Sequence, residues 1–504
     1  MFTKEFQKFQ PRINLLVECQ NRLLAICDEN FDETLQFLRS IITDDKNLST
    51  LLFLMGSVTS KRPRNSNLYK KILIDFKESI QSHFPCRLII CYLGNPYFFP
   101  TLVDILYEND FYSKEIVSRL IENHPLFSVC KSFHNKKEKE GEISYESNIV
   151  NMTINDNISE FLNTVASSNL NLFQKFFDQG NENRSLIEIS AQYASINVFK
   201  YLWLQIGSDM TEELLKSVYQ MAVYGGNYEI IHICEEKIHF AELSDFDQEN
   251  IMFSAIKGNY KEIIHYLIDQ HSIKVTKSHL IISLLEKNLD FFFEHFPKLM
   301  NENNIFINFC EPHTTNRQNL FDLLHVACFL GFTELVPFLL LFNFRPLSQY
   351  AGRTSIVLAA TYGYFDIVKL LCETKKFDTE YQKAFEIAVA NDFPQIVEYF
   401  SPLVDINFNN SFALRVAVDK GNTEVVRILA KLPNININPL TSIKSTPLHT
   451  AAEKGFKEIV LILLENPTII ANQRDNKRSF YIFYIDSKRP SKNERTHRNC
   501  SYIG

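Results

Sequence analysis

Thirteen histidines and ten cysteines are the residues of this chain best suited to hold a metal or to act as nucleophile and base. Their spacing supports neither use. The cysteines stand at 19, 27, 86, 91, 130, 234, 310, 328, 372 and 500, and no two share the C-x-x-C spacing that brings two thiolates onto one ion or into one redox centre. They read as buried free thiols of a reducing cytoplasm. No H-E-x-x-H, G-x-x-x-x-G-K-[ST] or G-x-S-x-G segment occurs, so a zinc peptidase, a phosphate loop and a nucleophile elbow all lack a sequence basis. Two histidines share a local context, Leu324-His325-Val326-Ala327 and Leu448-His449-Thr450-Ala451. A shared context without nearby ligands points to a structural job. Trp203 falls at the end of an amphipathic stretch and reads as packing. The expectation is no enzyme, no cofactor and no metal.

The elements that carry these histidines repeat. Taking Gly455 as an anchor, the same offsets recur at Gly226, Asn259, Gly331, Gly363, Asp392 and Gly421. Four residues before each anchor stands an alanine: Ala222, Ala255, Ala327, Ala359, Ala388, Ala417 and Ala451. Small side chains there let two helices approach closely. An acid or Gln follows three residues after the anchor, in the first turn of a second helix, where the macrodipole favours negative charge. Aliphatic residues four, five and eight after it form one buried helical stripe. The anchor itself is Gly, Asn or Asp, types that tolerate a left-handed turn between two helices. Ser217, Asn250, Asp322, Thr354 and Thr446, nine residues before their anchors, are N-cap types for the first helix. Lys383 and Phe412 occupy that place in two units, which should start less crisply. Weaker copies are anchored at Ala194, Ser168 and Lys287, and residues 297–319 read as a long connection.

Helix, turn, helix and loop, repeated roughly every 33 residues, resembles the ankyrin repeat. The residues that carry the likeness are Thr446-Pro447-Leu448-His449, the Ala451-to-Gly455 spacing, Leu324-His325-Val326-Ala327 and the Gly352-Arg353-Thr354 approach. The resemblance implies an all-α ankyrin-repeat solenoid, helix-turn-helix units with β-turn fingers, preceded by a small helical domain. Large protozoan ankyrin families with a helical N-terminal region are similar in this respect. It further implies that His325 and His449 hydrogen-bond their neighbours and that the residues before each anchor face a concave binding groove. On that reading a partner protein would meet Tyr224, Phe329, Leu330, Arg353, Thr361, Tyr362, Asp419, Lys420, Glu453 and Lys454. Aromatics there matter because they are over-represented at interface hot spots.

The array should span 155–475 in about ten units. Residues 1–130 lack the repeat but carry helical-period stretches at 13–26, 34–42, 68–80 and 102–107, and read as a helical domain. Residues 131–154, with Lys136 to Glu142, read as a polar linker. At 476–504 a further unit begins and fails, with Tyr484 where the alanine belongs. Residues 480–485 are apolar enough to fold over the last unit, and a basic tail follows with Lys488, Arg489, Lys492, Arg495 and Arg498. Hydrophobic residues make up 45% of the 504, enough for a large core, and a net charge of −7 argues against a nucleic-acid binder. No stretch reaches the ~20 apolar residues of a membrane span, and the start at Met1 shows no secretory signal. The expected protein is a monomeric, cytoplasmic scaffold or adaptor that binds a protein, with the nucleus as the other compartment. Two alternatives are an activity lodged in residues 1–150, and a membrane- or nucleus-targeted adaptor that uses the basic tail.

Overall fold

A computed structural model describes residues 2–62, 65–84, 111–113, 145–168, 170–177, 183–302, 323–340, 353–471 and 473. The chain divides into two compact units, Met1–Phe309 and Cys310–Gly504. The protein is all-α, with one small hairpin among the described residues.

The first unit opens with five helices: α1 Phe2–Leu24, α2 Phe31–Ile41, α3 Asp45–Lys61, α4 Ser66–Asp75 and α5 Lys77–His83. Their apolar faces form a core that includes Leu16, Leu23, Leu38, Leu52, Val58, Tyr69 and Ile72. Helix α3 begins at Asp44, whose carboxylate accepts from the Asn47 amide and so satisfies one of the free N–H groups of the first turn. Paired helices follow: α6 Tyr145–Ile154 and α7 Ile158–Ser167, α8 Leu186–Gln192 and α9 Ile196–Ile206, α10 Glu212–Gly225 and α11 Tyr228–Glu235, α12 Asp245–Gly258 and α13 Lys261–His271, α14 Lys277–Leu285 and α15 Leu289–Glu302. Strands β1 Lys175–Phe177 and β2 Asn183–Ser185 pair antiparallel as a finger ahead of α8.

The second unit repeats the plan with α16 Leu323–Leu330 and α17 Val336–Leu339, α18 Ser355–Tyr362 and α19 Phe365–Glu373, α20 Tyr381–Ala390 and α21 Pro394–Phe400, α22 Phe408–Lys420 and α23 Thr423–Lys431, α24 Pro447–Glu453 and α25 Lys457–Glu465. The Phe412 unit starts irregularly, as its missing cap residue suggested. Asn409, Asn410 and Ser411 at the head of α22 all take left-handed backbone before the helix settles.

The anchors do what their residue types implied. Between the two helices of each pair the chain turns left-handed, at Asp156, Ala194, Gly226, Asn259, Lys287, Gly331, Gly363, Asp392, Gly421 and Gly455. Even Ala194 and Lys287 are held at φ +54. A left-handed residue costs an L-amino acid roughly 1–2 kcal/mol, so the packing on either side must supply that much. The packing is dense: all seven repeat alanines have no exposed surface. The stripe of each second helix is buried too, as with Ile230, Ile231 and Cys234, or Val425, Val426 and Leu429. Each such side chain contributes about 1.5–3 kcal/mol of burial.

Asparagine amides link one repeat to the next. Asn288 donates to Ile256 O at 3.0 Å, Asn391 to Thr361 O at 3.0 Å and Asn422 to Val389 O at 2.8 Å. Each satisfies a carbonyl at the C-terminal end of the preceding inner helix that has no partner within that helix.

The structure corrects several expectations. The first pair turns at Asp156, not at Ser168, which caps α7 in extended backbone and leads to the finger. Helix α6, the first member of this pair, lies inside the stretch read as linker. Ser217 and Asn250 lie within helices, because α10 and α12 start earlier at Thr211 and Ser244. Those caps are followed at once by Glu212 and Glu213, or by Asp245 and Asp247, and so combine a capping hydroxyl with acids at the positive helix end. Thr354 and Thr446 are N-caps as expected. The long connection starts later than residue 297, since α15 runs through Pro297 to Glu302. Asp322, Arg489 and residues 102–107, 136–142 and 475–485 lie outside the described residues.

Candidate protein-binding surface

In the second unit the inner helices α16, α18, α20, α22 and α24 end on one kind of turn, and the residues just before that turn form a row. Phe329 and Tyr362 head it. Both are half-buried, and their rings meet edge to face with centroids 5.2 Å apart at 85°. Tyr362 also stacks on Tyr364 at 6.0 Å and 20°. The remaining ring surface of Phe329 and Tyr362 is held in a fixed orientation at an accessible edge. Two neighbours expected on this surface are interior instead. Leu330 is 7% exposed, and Thr361 is 6% exposed with its hydroxyl donating back to Val357 O at 2.7 Å. Arg353, one residue ahead of the Thr354 cap, is exposed.

Further along the row the side chains are charged and exposed: Asp419, Lys420, Glu453 and Lys454. Both lysines are already partnered within the chain. Lys420 Nζ donates to Ala390 O at 3.0 Å, while Lys454 Nζ reaches Asp419 O at 2.5 Å and its carboxylate at 2.7 Å. Exposed pairs of this kind are worth about 0–1 kcal/mol, so they set local charge more than stability. The row therefore runs from an aromatic patch to a paired, charged rim.

The buried histidines serve the helices. His449 Nδ1 lies 2.6 Å from Thr446 Oγ1 and 3.1 Å from the Thr446 amide, closing a capping box with the His449 amide. His279 makes the corresponding contacts with Thr276, and burial pushes its pKa down to about 4. His325 is fully buried in α16. Trp203 stacks on Phe199 at 5.5 Å, and Lys237 Nζ sits 5.1 Å from its ring, both packing contacts. Of the described cysteines, Cys19, Cys234, Cys328 and Cys372 are buried free thiols, whereas Cys27 is exposed. Among the described residues no cluster of His, Cys, Asp or Glu could hold a metal ion. No described helix is long and apolar enough to cross a membrane.

Tyr224 has a different setting from Phe329 and Tyr362. It is half-buried in the first unit, near Arg62, Glu286 and Tyr260, and burial raises its phenol pKa. The N-terminal helices seat on the turns at Asn259 and Lys287. Arg62 donates to Gly258 O at 3.2 Å, with its guanidinium 4.0 Å from the Tyr260 ring centre. Ser57 and Lys61 both donate to Glu286 O, Lys287 Nζ donates to Phe53 O at 2.8 Å, and Gln20 bridges Lys287 O and the Leu289 amide. In this seam burial lowers Lys61 to about 8 and Lys287 to about 7. Nothing in the sequence pattern marked Gln20, Ser57, Lys61 or Arg62, because their partners lie far off in the chain.

Two helices per unit, a left-handed turn and stacked alanines define an ankyrin-repeat solenoid. In agreement, residues 295–383 and 385–475 match the family of ankyrin repeats (three copies), and the chain is an ankyrin-repeat protein. Ankyrin repeats are in general protein–protein interaction modules. Among solved structures the chain is similar to the ankyrin repeat domain of Bcl-3, a member of the IkappaB protein family, at 18% identity over 40% of this chain and 90% of that one, with a TM-score of 0.33. No curated protein matches the chain.

Proposed function

We propose that this protein is a non-enzymatic scaffold or adaptor that holds a partner protein on the second-unit row led by Phe329 and Tyr362. The observation that carries this reading is the edge-to-face ring pair, 5.2 Å between centroids, half-exposed at the ends of two adjacent inner helices. Rings held in fixed orientations lose little conformational entropy when a partner covers them, which is why aromatic residues dominate hot spots. Asp419, Lys420, Glu453 and Lys454 supply the polar rim that sets register and discriminates among partners. Tyr224 belongs to the internal seam of the first unit and has no place in this surface.

The test compares affinity capture by the full chain, by Phe329→Ala, by Tyr362→Ala and by Lys369→Ala, a substitution of an exposed residue on a second helix. A hot-spot loss of about 2 kcal/mol weakens binding roughly 30-fold. The expected result is a set of proteins lost from both aromatic variants and retained by Lys369→Ala, with helical content unchanged in all four. Identical captured sets would remove the aromatic pair from the reading.

A further inference from the structure

We propose that the apolar end of the last repeat is a docking site for the chain's own residues 480–485, which seal the array. The motive is a packing rule that holds inside the array and changes at its end. At three of the glycines that turn an inner helix, a ring from the next repeat covers the turn. Tyr260 lies over Gly226, Tyr364 over Gly331 and Phe393 over Gly363, so close that a Cβ on the glycine would fall 2.3, 2.5 and 2.2 Å from a ring carbon. At Gly455 the backbone is the same, φ +73, yet the residue is exposed and a Cβ would meet no described atom within 4 Å.

A second observation on the same repeat agrees. Six residues past the turn, Arg427 of the preceding repeat reaches forward to Glu458 at 2.6 Å. The corresponding residue of the last repeat is Leu461, apolar and 46% exposed, and Ile470 beyond it is also 46% exposed. The last described repeat thus carries the forward face of an interior repeat.

The chain that follows suits this face. Phe480, Tyr481, Phe483 and Tyr484 with Ile482 and Ile485 form an uncharged run of rings and aliphatics. Left in water, such a run would be an aggregation-prone β-former. Six residues lie between Gln473 and Phe480, seven Cα steps with a reach of roughly 20 Å, enough to return over one repeat. Tyr484 takes the place of the repeat alanine, and the proposal accounts for it. The interior alanines are squeezed between repeats on both sides and show no exposed surface. A segment with a repeat on one side only has room for a ring at that place. The charged residues that follow, Lys488, Arg489, Lys492, Glu494 and Arg495, supply the polar outer face that a terminal cap requires.

The experiment uses the full chain with the photo-cross-linking residue p-benzoylphenylalanine in place of Leu461, in an equal mixture of 15N-labelled and unlabelled protein. Irradiation, digestion and mass spectrometry should give same-isotope cross-links to the peptide containing 480–485. Hydrogen exchange across 457–465 should quicken by about tenfold when Phe480, Tyr481, Phe483 and Tyr484 are all changed to Ser, while exchange across 355–373 stays the same. Mixed-isotope cross-links would replace the cap by a second copy of the chain. Cross-links to other segments, no cross-links, or unchanged exchange in the serine variant would each overturn the proposal.

Discussion

Gly363→Ala tests the packing rule of the array most directly. Gly363 has φ +79 and is buried, and a Cβ built on it would lie 2.2, 2.5 and 2.6 Å from Cε1, Cδ1 and Cζ of Phe393. Two costs add. Holding alanine in the left-handed region costs roughly 1–2 kcal/mol. Phe393 is only 7% exposed, so its ring moves against close-packed neighbours, an overpacking cost of about 1–3 kcal/mol. The substitution should therefore destabilise the second unit by about 2–5 kcal/mol. Repeating it in a Phe393→Ala background removes the collision and leaves the backbone cost of roughly 1–2 kcal/mol. The cycle thus isolates a coupling of about 1–3 kcal/mol between neighbours in contact. Urea titration followed by hydrogen exchange of the peptides covering α18–α21 is the suitable assay, because a repeat array need not unfold in one step. An equal cost in both backgrounds would mean that the glycine does not serve the ring, and the rule would fall.

Three other substitutions or conditions probe separate features. Ala388→Leu inserts three carbons where no surface is exposed, and should lower stability by about 1–3 kcal/mol in thermal and urea melts. Asn422→Ala removes the side-chain donor to Val389 O and leaves that carbonyl only the longer 3.3 Å bond from the Asp392 amide, at about 0.5–1.5 kcal/mol, read as a fall in urea midpoint without a change in slope. The seam of the first unit should strengthen as pH rises from 7 to 9. Lys61 and Lys287 have folded pKa values below their unfolded ones, lowered chiefly by burial, with Arg62 adding to the effect on Lys61, Lys61 adding to that on Lys287, and Glu286 opposing both. The folded state then binds fewer protons in that window, so stability climbs with pH, and Lys287→Met should flatten the slope. Measurements stay below pH 9 because the buried phenols of Tyr69 and Tyr219, raised by desolvation, act in the opposite sense above about 10.

The repeat was legible because one physical demand recurs at one spacing. Ala388 and its six counterparts, together with the left-handed turns at Gly226 through Gly455, follow from close helix approach and a tight reversal, and both demands restrict residue type. Even the worn copies at Ala194 and Lys287 kept an apolar stripe, Val198, Phe199 and Leu202 in one and Phe291 and Phe292 in the other, that located them. Ser168 misled because Leu172, Phe173 and Phe176 mimic that stripe while the segment forms a finger. Ser217 and Asn250 misled because a stronger cap stood further upstream. The candidate surface was legible only by position. That Thr361 turns its hydroxyl inward, or that Arg62 lies over Tyr260, depends on which elements pack against one another, and no local spacing encodes it.

The amide links between repeats also bear on how the array yields to force. Asn391 ties its repeat to Thr361 of the one before, and Asn422 ties the next to Val389. The interfaces that hold these links follow one another along the stack, so tension applied between the ends of the second unit loads one interface after another in series. Bonds loaded in series break singly at low force, whereas bonds loaded side by side break together at high force. Pulled from its ends, this unit should therefore lengthen by separate small releases, one repeat at a time, and recoil as each repeat finds its neighbour again.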